Sequence, residues 1–330
     1  MMKTSRTTLS HLSEYLLTLD NFLIVTHVRP DGDAIGSVFA LHEALLILGK
    51  TADIYFSDAL PDKYKFLINS NTYIEDSLPI NKYSNIISLD CGNFDRLAIS
   101  DKECYSNKNT ISIDHHPDNS EYSNTNYTNS VSCATSEILL DIFTIRDSSW
   151  IINKKIANCL LMGILLDSGG LRFDNTTATV LRKVAELIDL GADYIPTIKS
   201  MYFTKPLKMM NLEADIILNE LKMAFDNKFA YLYLSKELLK KHNVTAKDTE
   251  GLIDYYRTID GLIIAATLVK HNNGFRVSMR SNYAEYPVSE IAKILSGGGH
   301  KLAAGCFIPA DNFETAETIL KNYVEKLLMK

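Results

Sequence analysis

One imidazole and two carboxylates stand within seven residues of one another near the start of the chain, in the segment HVRPDGDAIGS at 27–37. The three side chains are His27, Asp31 and Asp33. Hard divalent cations prefer carboxylate oxygens with some imidazole nitrogen, so this spacing indicates a site for one or two such ions. Two plainer interpretations stay open: His27 could be an ordinary hydrogen-bonded residue, and either aspartate could cap the helix that follows.

Two further aspartates stand at the ends of apolar runs. Asp90 closes the run at 86–90, where an isolated aspartate is also common as a turn former. Asp167 follows the apolar stretch 156–166. A carboxylate at the C-terminal end of a helix opposes the helix dipole, so it needs a compensating cation or another partner. Both positions are therefore candidates for the same metal site.

Two adjacent histidines follow the apolar run at 110–113, in the tripeptide Asp114-His115-His116. Adjacent residues of a regular strand point to opposite faces, so one histidine could bind a metal while the other faces substrate or solvent. A surface loop that happens to carry two histidines is the plainer alternative.

A predicted alternation of strands and helices must bring these side chains together. The predicted strands span 22–26, 52–56, 86–90 and 110–114, and a predicted helix spans 33–48. Parallel strands joined by crossovers share one carboxyl edge, which is where open α/β sheets bind ligands. His27, Asp90 and Asp114 all fall at that edge, and independent helix caps would have no reason to converge there.

Together these side chains form a donor set for two nearby ions. The set consists of His27, Asp31, Asp33, Asp90, Asp114, His115 and Asp167. Oxygen and imidazole donors suit ions of the manganese or magnesium type, and the scarcity of thiols disfavours a structural zinc site. Hydrolysis at phosphorus is the natural reaction of two such ions.

The rest of the chain predicts a second, smaller α/β unit. Helical patterns continue from 133 to about 190, residues 123–129 are expected to form a loop, and Pro196 and Pro206 then interrupt the helical periodicity. Further strands are predicted at 229–234, 261–269 and 275–280, with helices at 288–295 and 313–328. We therefore expect an N-terminal parallel-sheet domain with helices on both faces at 1–192, a linker at 193–212 and a C-terminal domain at 213–330.

Composition restricts the classes of partner. The 330 residues carry a formal net charge of −6, which provides no global basic field for long duplex DNA, so a nucleic-acid substrate should be short. The five cysteines include no C-x-x-C pair and suggest reduced thiols in a cytoplasmic protein. No apolar signal core begins the chain and no apolar stretch approaches a membrane span, so no membrane partner is expected.

The order and spacing of these motifs resemble the DHH phosphoesterase family, named for the tripeptide found here at 114–116. The C-terminal part carries VSMRS at 277–281 and GGGHKLAAG at 297–305, which resemble the DHH-associated domain of subfamily 1. Chain length and motif order are similar to the stand-alone nano-RNase and pAp phosphatase group, of the oligoribonuclease A type. The resemblance covers essentially the whole chain.

The resemblance implies a pair of Mn2+ ions, with Mg2+ or Co2+ as substitutes. His27 and Asp31 would bind one ion, and Asp90 would bridge the two. The ligands of the other ion would be Asp33, His115 and Asp167. A hydroxide held between the ions would attack phosphorus in line with the leaving ribose oxygen.

The resemblance also implies roles for residues beside the ions. Asp114 would orient its neighbours, and His116 would contact the transferred phosphate or protonate the leaving oxygen. Ser37, near the start of the helix at 33–48, would support the phosphate or the metals. Cys91 stands where a small or hydroxyl residue is common, so it could tune the site or make it sensitive to oxidation.

Substrate contacts are expected in a cleft between the two domains. The implied contact residues are Arg280, Ser281, Gly297, Gly298, Gly299 and His300, together with Arg172. Three successive glycines allow backbone N–H groups to approach an anion closely, although a flexible hairpin is the plainer interpretation. Phe173 could stack on a base or could belong to the core.

The leading hypothesis is a phosphoesterase that hydrolyses very short RNAs and linear dinucleotides such as pApA and pGpG to mononucleotides, and that also converts pAp to AMP. An alternative keeps the same site but takes cyclic di-AMP as the substrate. A hypothesis from another class, a non-catalytic RNA-binding module, requires a degraded metal site. A homodimer is one of the oligomeric states that the sequence leaves open.

Overall fold

The computed structural model describes residues 5–60, 64, 73–74, 80–99, 101–147, 149–249 and 251–330. The chain separates into two units, Met1–Thr204 and Lys205–Lys330, each with its own sheet and hydrophobic core. The division falls inside the segment that the sequence predicts as a linker. This segment is largely helical, and the positions of its two prolines permit this. Pro196 lies in the first turn of a helix, where its missing N–H removes no hydrogen bond, and Pro206 immediately precedes the next helix.

Seven parallel strands form the sheet of the first unit within the described residues. They are β1 (Ser5–Arg6), β2 (Phe22–Val25), β3 (Ala52–Tyr55), β4 (Tyr73–Ile74), β5 (Asn85–Leu89), β6 (Asn109–Asp114) and β7 (Thr125–Thr128). Their order across the sheet is β1-β7-β6-β5-β2-β3-β4. The chain extends the sheet from β2 through β3 and β4 and later returns to the other side of β2 with β5. The strand order therefore reverses between β2 and β5, the point at which open α/β sheets bind ligands.

Helices and loops cover both faces of this sheet. The helices are α1 (Leu9–Thr18), α2 (Gly32–Ile47), α3 (Lys102–Ser106), α4 (Thr135–Phe143), α5 (Lys154–Asp167), α6 (Ala178–Asp189) and α7 (Tyr194–Tyr202). Along β2, Phe22 and Ile24 belong to the core that α2, α4 and α5 complete. Leu23 and Val25 alternate with them and pack in a second core beside Tyr105 of α3. The predicted parallel α/β sheet with helices on both faces is confirmed.

The prediction of a loop at 123–129 is wrong, because this segment contains β7. Strand β7 pairs with β6 on one side and with β1 on the other. Asn124 fixes the start of the strand, since its side-chain oxygen accepts hydrogen bonds from the backbone N–H and the hydroxyl of Thr110. Pairing with neighbours distant in sequence, rather than an apolar pattern, therefore decides the extended conformation here.

The second unit contains a mixed six-stranded sheet within the described residues. Its strands are β8 (Lys222–Ala224), β9 (Phe229–Tyr233), β10 (Ile264–His271), β11 (Gly274–Ser281), β12 (Gly298–His300) and β13 (Ala303–Pro309), in the order β12-β13-β11-β10-β9-β8. Only the β9–β10 pair among them is parallel. The helices are α8 (Leu207–Asp215), α9 (Lys236–Lys241), α10 (Leu252–Tyr256), α11 (Val288–Ile294) and α12 (Phe313–Leu328).

Alternate side chains of β9 divide the second unit into two cores. Phe229 and Tyr231 pack with α11 and α12. Ala230 and Leu232 face the other way and pack with residues of α8, α9 and α10. A smaller C-terminal α/β unit is therefore confirmed.

The longest helices of the described chain, α2 and α12, have 16 residues each. A membrane-spanning helix needs about 20 predominantly apolar residues. Among the described residues, no helix combines the length and the apolar character needed to cross a membrane.

Candidate metal centre

The carboxyl ends of three adjacent strands, β6, β5 and β2, carry the candidate site. Asp114 is the last residue of β6, Asp90 directly follows β5, and His27 lies two residues beyond β2. The segment after β2 is held by an isolated bridge between His27 and Leu97, so His27 keeps its place beyond the end of the strand. These side chains therefore meet at the edge where the strand order reverses.

Three groups of side chains at this edge could each hold a metal ion. The groups are His27, Asp31 and Asp90; Asp33, His115 and Asp167; and Asp90, His115 and His116. Within each group the possible ligand atoms lie within 4.8 Å of one another. All six residues that the family resemblance assigns to the two ions fall in these groups, and Asp90 and His115 each belong to two of them. Asp114, the seventh member of the predicted donor set, is in none of the three groups.

Asp31 both caps helix α2 and faces the cluster. Its Oδ1 accepts hydrogen bonds from the backbone N–H groups of Asp33 and Ala34, each at 3.1 Å. Its Oδ2 lies 3.9 Å from Nε2 of His27. The two interpretations that the sequence left open for this residue are therefore compatible, because each uses a different oxygen.

Substitutions of Asp31 should separate these two functions. Asp31→Ser keeps a capping oxygen, so the free energy of unfolding of the metal-free protein should stay within ~0.5 kcal/mol of the wild-type value. Asp31→Ala removes the cap and should lower that free energy by about 1 kcal/mol. Both changes remove Oδ2 and should weaken divalent-metal binding roughly tenfold or more. Thermal unfolding in chelator and calorimetric metal titration measure the two effects. Wild-type metal affinity in Asp31→Ser would exclude Asp31 as a ligand.

Asp33 is fully buried and rests on the start of helix α4. Its Oδ2 accepts a hydrogen bond of 2.6 Å from the Thr135 N–H, and its Oδ1 accepts one of 3.0 Å from the Ser136 N–H. Ser37 donates to Oδ1 at 3.3 Å. Burial nevertheless raises the pKa of Asp33 above its usual value, although the nearby His115 opposes the rise.

Asp90 occupies a constrained position at the centre of the cluster. Its backbone has φ of 55°, the left-handed conformation that aspartate and asparagine tolerate better than most residues, and its side chain is 2% exposed. Burial, reinforced by the neighbouring carboxylates of Asp33 and Asp31, raises its pKa well above the usual value. Such a costly arrangement is typical of functional sites.

Four carboxylates thus converge with little compensating charge. They belong to Asp31, Asp33, Asp90 and Asp167. Burial and the nearby Asp33 and Asp31 also raise the pKa of Asp167. Over the part of the chain that the structure describes, the ion-pair contacts of Asp31, Asp90 and Asp167 come from histidines alone. Oxygen and imidazole donors with unbalanced negative charge fit divalent metal ions.

Both histidines of the tripeptide lie against the cluster. Nε2 of His115 is 3.4 Å from Oδ1 of Asp90 and 3.2 Å from Oδ2 of Asp167. Nδ1 of His116 is 3.7 Å from the same Asp90 oxygen, and the two rings have centroids 4.6 Å apart. Neighbouring residues point to opposite faces only within a regular strand. Because β6 ends at Asp114, His115 and His116 lie beyond it and both approach Asp90.

Asp114 holds these histidines through hydrogen bonds. Its Oδ1 accepts from Nδ1 of His116 at 2.7 Å and from the His115 N–H at 2.9 Å, and its Oδ2 accepts from Asn119 at 2.6 Å. Burial opposes ionisation of Asp114, but the bonds from His116 and Asn119 outweigh it and lower the pKa of the carboxyl. Burial likewise disfavours protonated His116, yet Asp114 raises the pKa of His116 overall.

The glycine-rich segment of the second unit forms a β-hairpin. Gly298–His300 is the edge strand β12, paired antiparallel with Ala303–Gly305 of β13. A Cβ atom at Gly297 would lie 2.1 Å from the Gly305 carbonyl oxygen, so the close approach of the two backbones requires glycine there. Gly298 and Gly299 are exposed together with His300, which leaves one edge of the backbone accessible.

The other candidate substrate residues differ in exposure. Arg280 is partly exposed, with Nε 3.7 Å from Asp254. Ser281 is 1% exposed, and its hydroxyl donates to the Tyr283 carbonyl at 2.9 Å, which is a turn-forming contact. In the first unit, Arg172 donates through Nε to the Gly169 carbonyl and stands 5.1 Å from the ring centroid of Tyr202. Phe173 is 45% exposed, so it is not a core residue.

Cys91 lies in a buried, hydrogen-bonded environment beside Asp90 in the sequence. Its side chain is buried, and Sγ donates to the Asn93 carbonyl at 3.1 Å. Burial raises the pKa of the thiol to about 11, so little of the reactive thiolate exists near neutral pH.

Sequence reasoning missed the start of α4 as part of this centre. Thr135 donates its hydroxyl to Oδ1 of Asp90 at 3.1 Å in addition to its N–H bond to Asp33. The signal was available, because the residue before the helix is Ala134, which has no side-chain oxygen to cap the first turn. Because Ala134 offers no side-chain acceptor, the buried backbone N–H groups in the first turn of α4 need acceptors from elsewhere, and Asp33 accepts those of Thr135 and Ser136.

Comparison with known sequences identifies both units. The DHH family, N-terminal domain, matches residues 21–164, and the DHHA1 domain matches residues 226–326. The bifunctional oligoribonuclease and PAP phosphatase NrnA of Thermus thermophilus is 30% identical over 305 residues, covering 92% of this chain and 89% of that protein. The protein of the same name from Bacillus subtilis is 27% identical over 290 residues, covering 88% of this chain and 90% of its own.

A solved structure shares the fold along the whole chain. The crystal structure of an exopolyphosphatase-related protein from Bacteroides fragilis matches with a TM-score of 0.88 and 24% identity, covering 96% of this chain and 95% of that one. The motifs, the two domain matches and the relatives agree with one another and confirm the family predicted from the sequence. The chain belongs to the DHH phosphoesterase family, whose members are metal-dependent hydrolases, and carries a DHH domain followed by a DHHA1 domain.

Proposed function

We propose that this protein is a two-metal phosphoesterase that hydrolyses short oligoribonucleotides and linear dinucleotides such as pApA and pGpG to mononucleotides, and that converts pAp to AMP. The observation that carries the proposal is the pair of ligand groups that adjoin at Asp90 and His115, at the edge where the strand order reverses. The names of the relatives, oligoribonuclease and PAP phosphatase, support the choice of substrates.

We assign one ion to His27, Asp31 and Asp90, and the other to Asp33, His115 and Asp167, with Asp90 close enough to serve both. When bound, two divalent ions lower the pKa of water and neutralise charge on phosphoryl oxygens. Mn2+ is the proposed working ion, with Mg2+ or Co2+ as substitutes, since all of these accept oxygen and imidazole donors.

His116 is the proposed catalytic side chain. Its Nδ1 is held by Asp114, which fixes the ring and raises its pKa. A protonated imidazole in this position can stabilise a phosphoryl oxygen or give a proton to the leaving ribose oxygen. Asp114 acts on the substrate only through His116 and His115, so it is a positioning residue.

We propose that Arg280 and the hairpin at 297–300 bind the terminal phosphate or nucleotide of the substrate. The exposed β12 edge offers backbone N–H groups, and the partly exposed Arg280 supplies positive charge. Arg172 and Phe173 are proposed to contact the phosphate and a base. The turn role of Ser281 makes it a support for this segment rather than a direct contact.

The remaining proposals concern setting and partners. The five cysteines are free thiols, as expected in a reducing cytoplasm. The net charge of −6 gives no global attraction for long duplex DNA. A homodimer is the oligomeric state that we propose to test first, by light scattering of the purified protein.

A substrate panel tests the proposed function. Purified protein with Mn2+ should convert pApA, pGpG and pAp to mononucleotides and should act much more slowly on an RNA of about 24 nucleotides. Faster turnover of the long RNA would contradict the proposal. Cyclic di-AMP belongs in the same panel, because it presents phosphodiesters to the same metal site. We expect slower turnover of cyclic di-AMP than of pApA, since the names of the relatives mention only oligoribonuclease and PAP phosphatase activity. Absence of any metal-dependent turnover would point to the RNA-binding module, which the intact ligand groups disfavour.

A further inference from the structure

The junction of helices α2, α4 and α5 holds the buried carboxylate of Asp33 and, through Thr135, contacts the buried carboxylate of Asp90. Asp33 projects from α2 toward the first turn of α4, and Thr135 begins that turn. A Cβ atom at Gly163 of α5 would lie 2.5 Å from Oδ1 of Asp33, so α5 closes the third side of the junction. Asp33 and Thr135 are both fully buried.

Thr135 contacts both carboxylates through different atoms. Its backbone N–H donates to Oδ2 of Asp33 at 2.6 Å, and its hydroxyl donates to Oδ1 of Asp90 at 3.1 Å. Over the described residues, this hydroxyl makes the shortest polar contact with the Asp90 carboxylate, since the histidine nitrogens lie 3.4 Å, 3.7 Å and 3.8 Å away.

The hydroxyl contact distinguishes the two oxygens of Asp90. Oδ1 receives the Thr135 hydroxyl and lies beside His115, whereas Oδ2 lies 3.8 Å from Nε2 of His27. A carboxylate that serves two metal groups must hold one rotation about its terminal torsion, which is intrinsically broad. A donated hydrogen bond to one oxygen restricts that rotation.

We propose that Thr135 is a positioning residue, whose hydroxyl fixes the rotation of the Asp90 carboxylate so that one oxygen serves each metal group. The proposal rests on the proposed assignment of Asp90 as the shared ligand. It assigns to Thr135 no contact with substrate, and it makes the hydroxyl rather than the backbone of Thr135 the functional part.

The test compares two substitutions of Thr135. Thr135→Val keeps the side-chain volume and the N–H bond to Asp33 but lacks the hydroxyl, and Thr135→Ser keeps the hydroxyl. We expect Thr135→Val to weaken Mn2+ binding, measured by calorimetric titration of the chelator-treated protein, by roughly 10- to 100-fold. At saturating Mn2+ the kcat of Thr135→Val for pApA should fall with little change in KM. Thr135→Ser should keep both the Mn2+ affinity and the kcat near their wild-type values.

Thr144→Val is the matched control, because Thr144 caps the other end of α4 and its exposed hydroxyl bonds only to the Leu140 carbonyl among the described residues. It should leave Mn2+ affinity unchanged. Equal losses in Thr135→Val and Thr135→Ser, or wild-type Mn2+ affinity in Thr135→Val, would overturn the proposal. Should Thr135→Val fail to fold by circular dichroism, Thr135→Ala removes the same hydroxyl and carries the same expectation.

The Mn2+ titration also separates this inference from the proposed function. A wild-type protein that binds Mn2+ but does not hydrolyse pApA contradicts the substrate assignment and leaves the affinity comparison decisive for Thr135. A wild-type protein that binds no Mn2+ overturns both, because Asp90 would then have no ion to position.

Discussion

Replacing Asp90 with asparagine is expected to lower kcat for pApA by at least roughly 10³-fold, which corresponds to about 4 kcal/mol of lost transition-state stabilisation. Asp90 belongs to two of the three groups that could each hold a metal ion, so the substitution removes a negative charge from both. The substitution keeps the shape of the side chain, and asparagine tolerates the left-handed backbone of this position, φ 55°. The loss should therefore reflect the missing charge and not a disrupted loop.

The same substitution should stabilise the metal-free protein. In the unfolded chain the carboxyl titrates near its usual pKa of 3.8, and in the folded protein burial and the nearby Asp33 and Asp31 raise the pKa well above that. A raised pKa means that the folded state binds the proton more tightly. The wild type therefore loses folding free energy as the pH rises above about 4 and through the raised pKa, whereas Asp90→Asn does not lose this contribution.

Calorimetry in chelator at about pH 5 and about pH 8 measures this difference. We expect Tm of Asp90→Asn to exceed that of the wild type by roughly 2–4 °C at the higher pH, equivalent to about 1 kcal/mol, and by less at the lower pH. Saturating Mn2+ should reverse the order, because binding at about 100 times Kd stabilises the wild type by about 2.7 kcal/mol. Asp95→Asn, at an exposed position, should change neither value. A less stable metal-free Asp90→Asn, or one that retains turnover, would contradict the assignment.

The parts of the centre that the sequence predicts are those fixed by local pattern. The strand at 86–90 and the helix that ends at Asp167 are apolar runs bounded by polar residues, and they appear as β5 and α5. Because parallel strands share one carboxyl edge, the placement of Asp90 and His27 at that edge follows from the strands alone.

Other parts depend on pairings between distant residues. The bond from the Thr135 N–H to Asp33 joins positions 102 residues apart, and no local pattern contains it. Strand β7 is extended because β6 and β1 supply its hydrogen-bond partners on either side. The two histidines approach the same aspartate because β6 stops at Asp114, and the residue at which a strand ends is poorly determined by periodicity.

Gly163→Ala is expected to lower both the stability of the protein and its affinity for Mn2+. In a helix interior, glycine to alanine ordinarily gains up to about 1 kcal/mol. Here the new Cβ would lie 2.0 Å from Oγ of Ser136 and 2.5 Å from Oδ1 of Asp33, both at fully buried side chains. We expect a loss of about 3 kcal/mol, the upper end of the usual cost of overpacking, and a fall in Tm of roughly 6–12 °C.

The Mn2+ affinity of Gly163→Ala should also fall, because the new methyl group displaces the carboxylate of Asp33, which is a proposed ligand. Thermal unfolding and calorimetric titration report the two effects separately. Gly298→Ala provides the control for the substitution itself, since a Cβ there meets nothing within 4 Å, and its stability should remain within ~0.5 kcal/mol of the wild type. A Gly163→Ala protein that is more stable than the wild type would show that the helices separate easily and that the junction is not rigid.

A second substitution should divide the two effects of Gly163→Ala. Adding Ser136→Ala removes the hydroxyl that the new methyl group meets first, but Oδ1 of Asp33 and the Cβ of Ser136 at 2.7 Å remain in its way. The double variant should therefore recover part of the lost stability and little of the lost Mn2+ affinity, because the Asp33 carboxylate stays displaced. Full recovery of affinity would mean that Ser136 alone transmits the strain and that Asp33 tolerates the movement of α5.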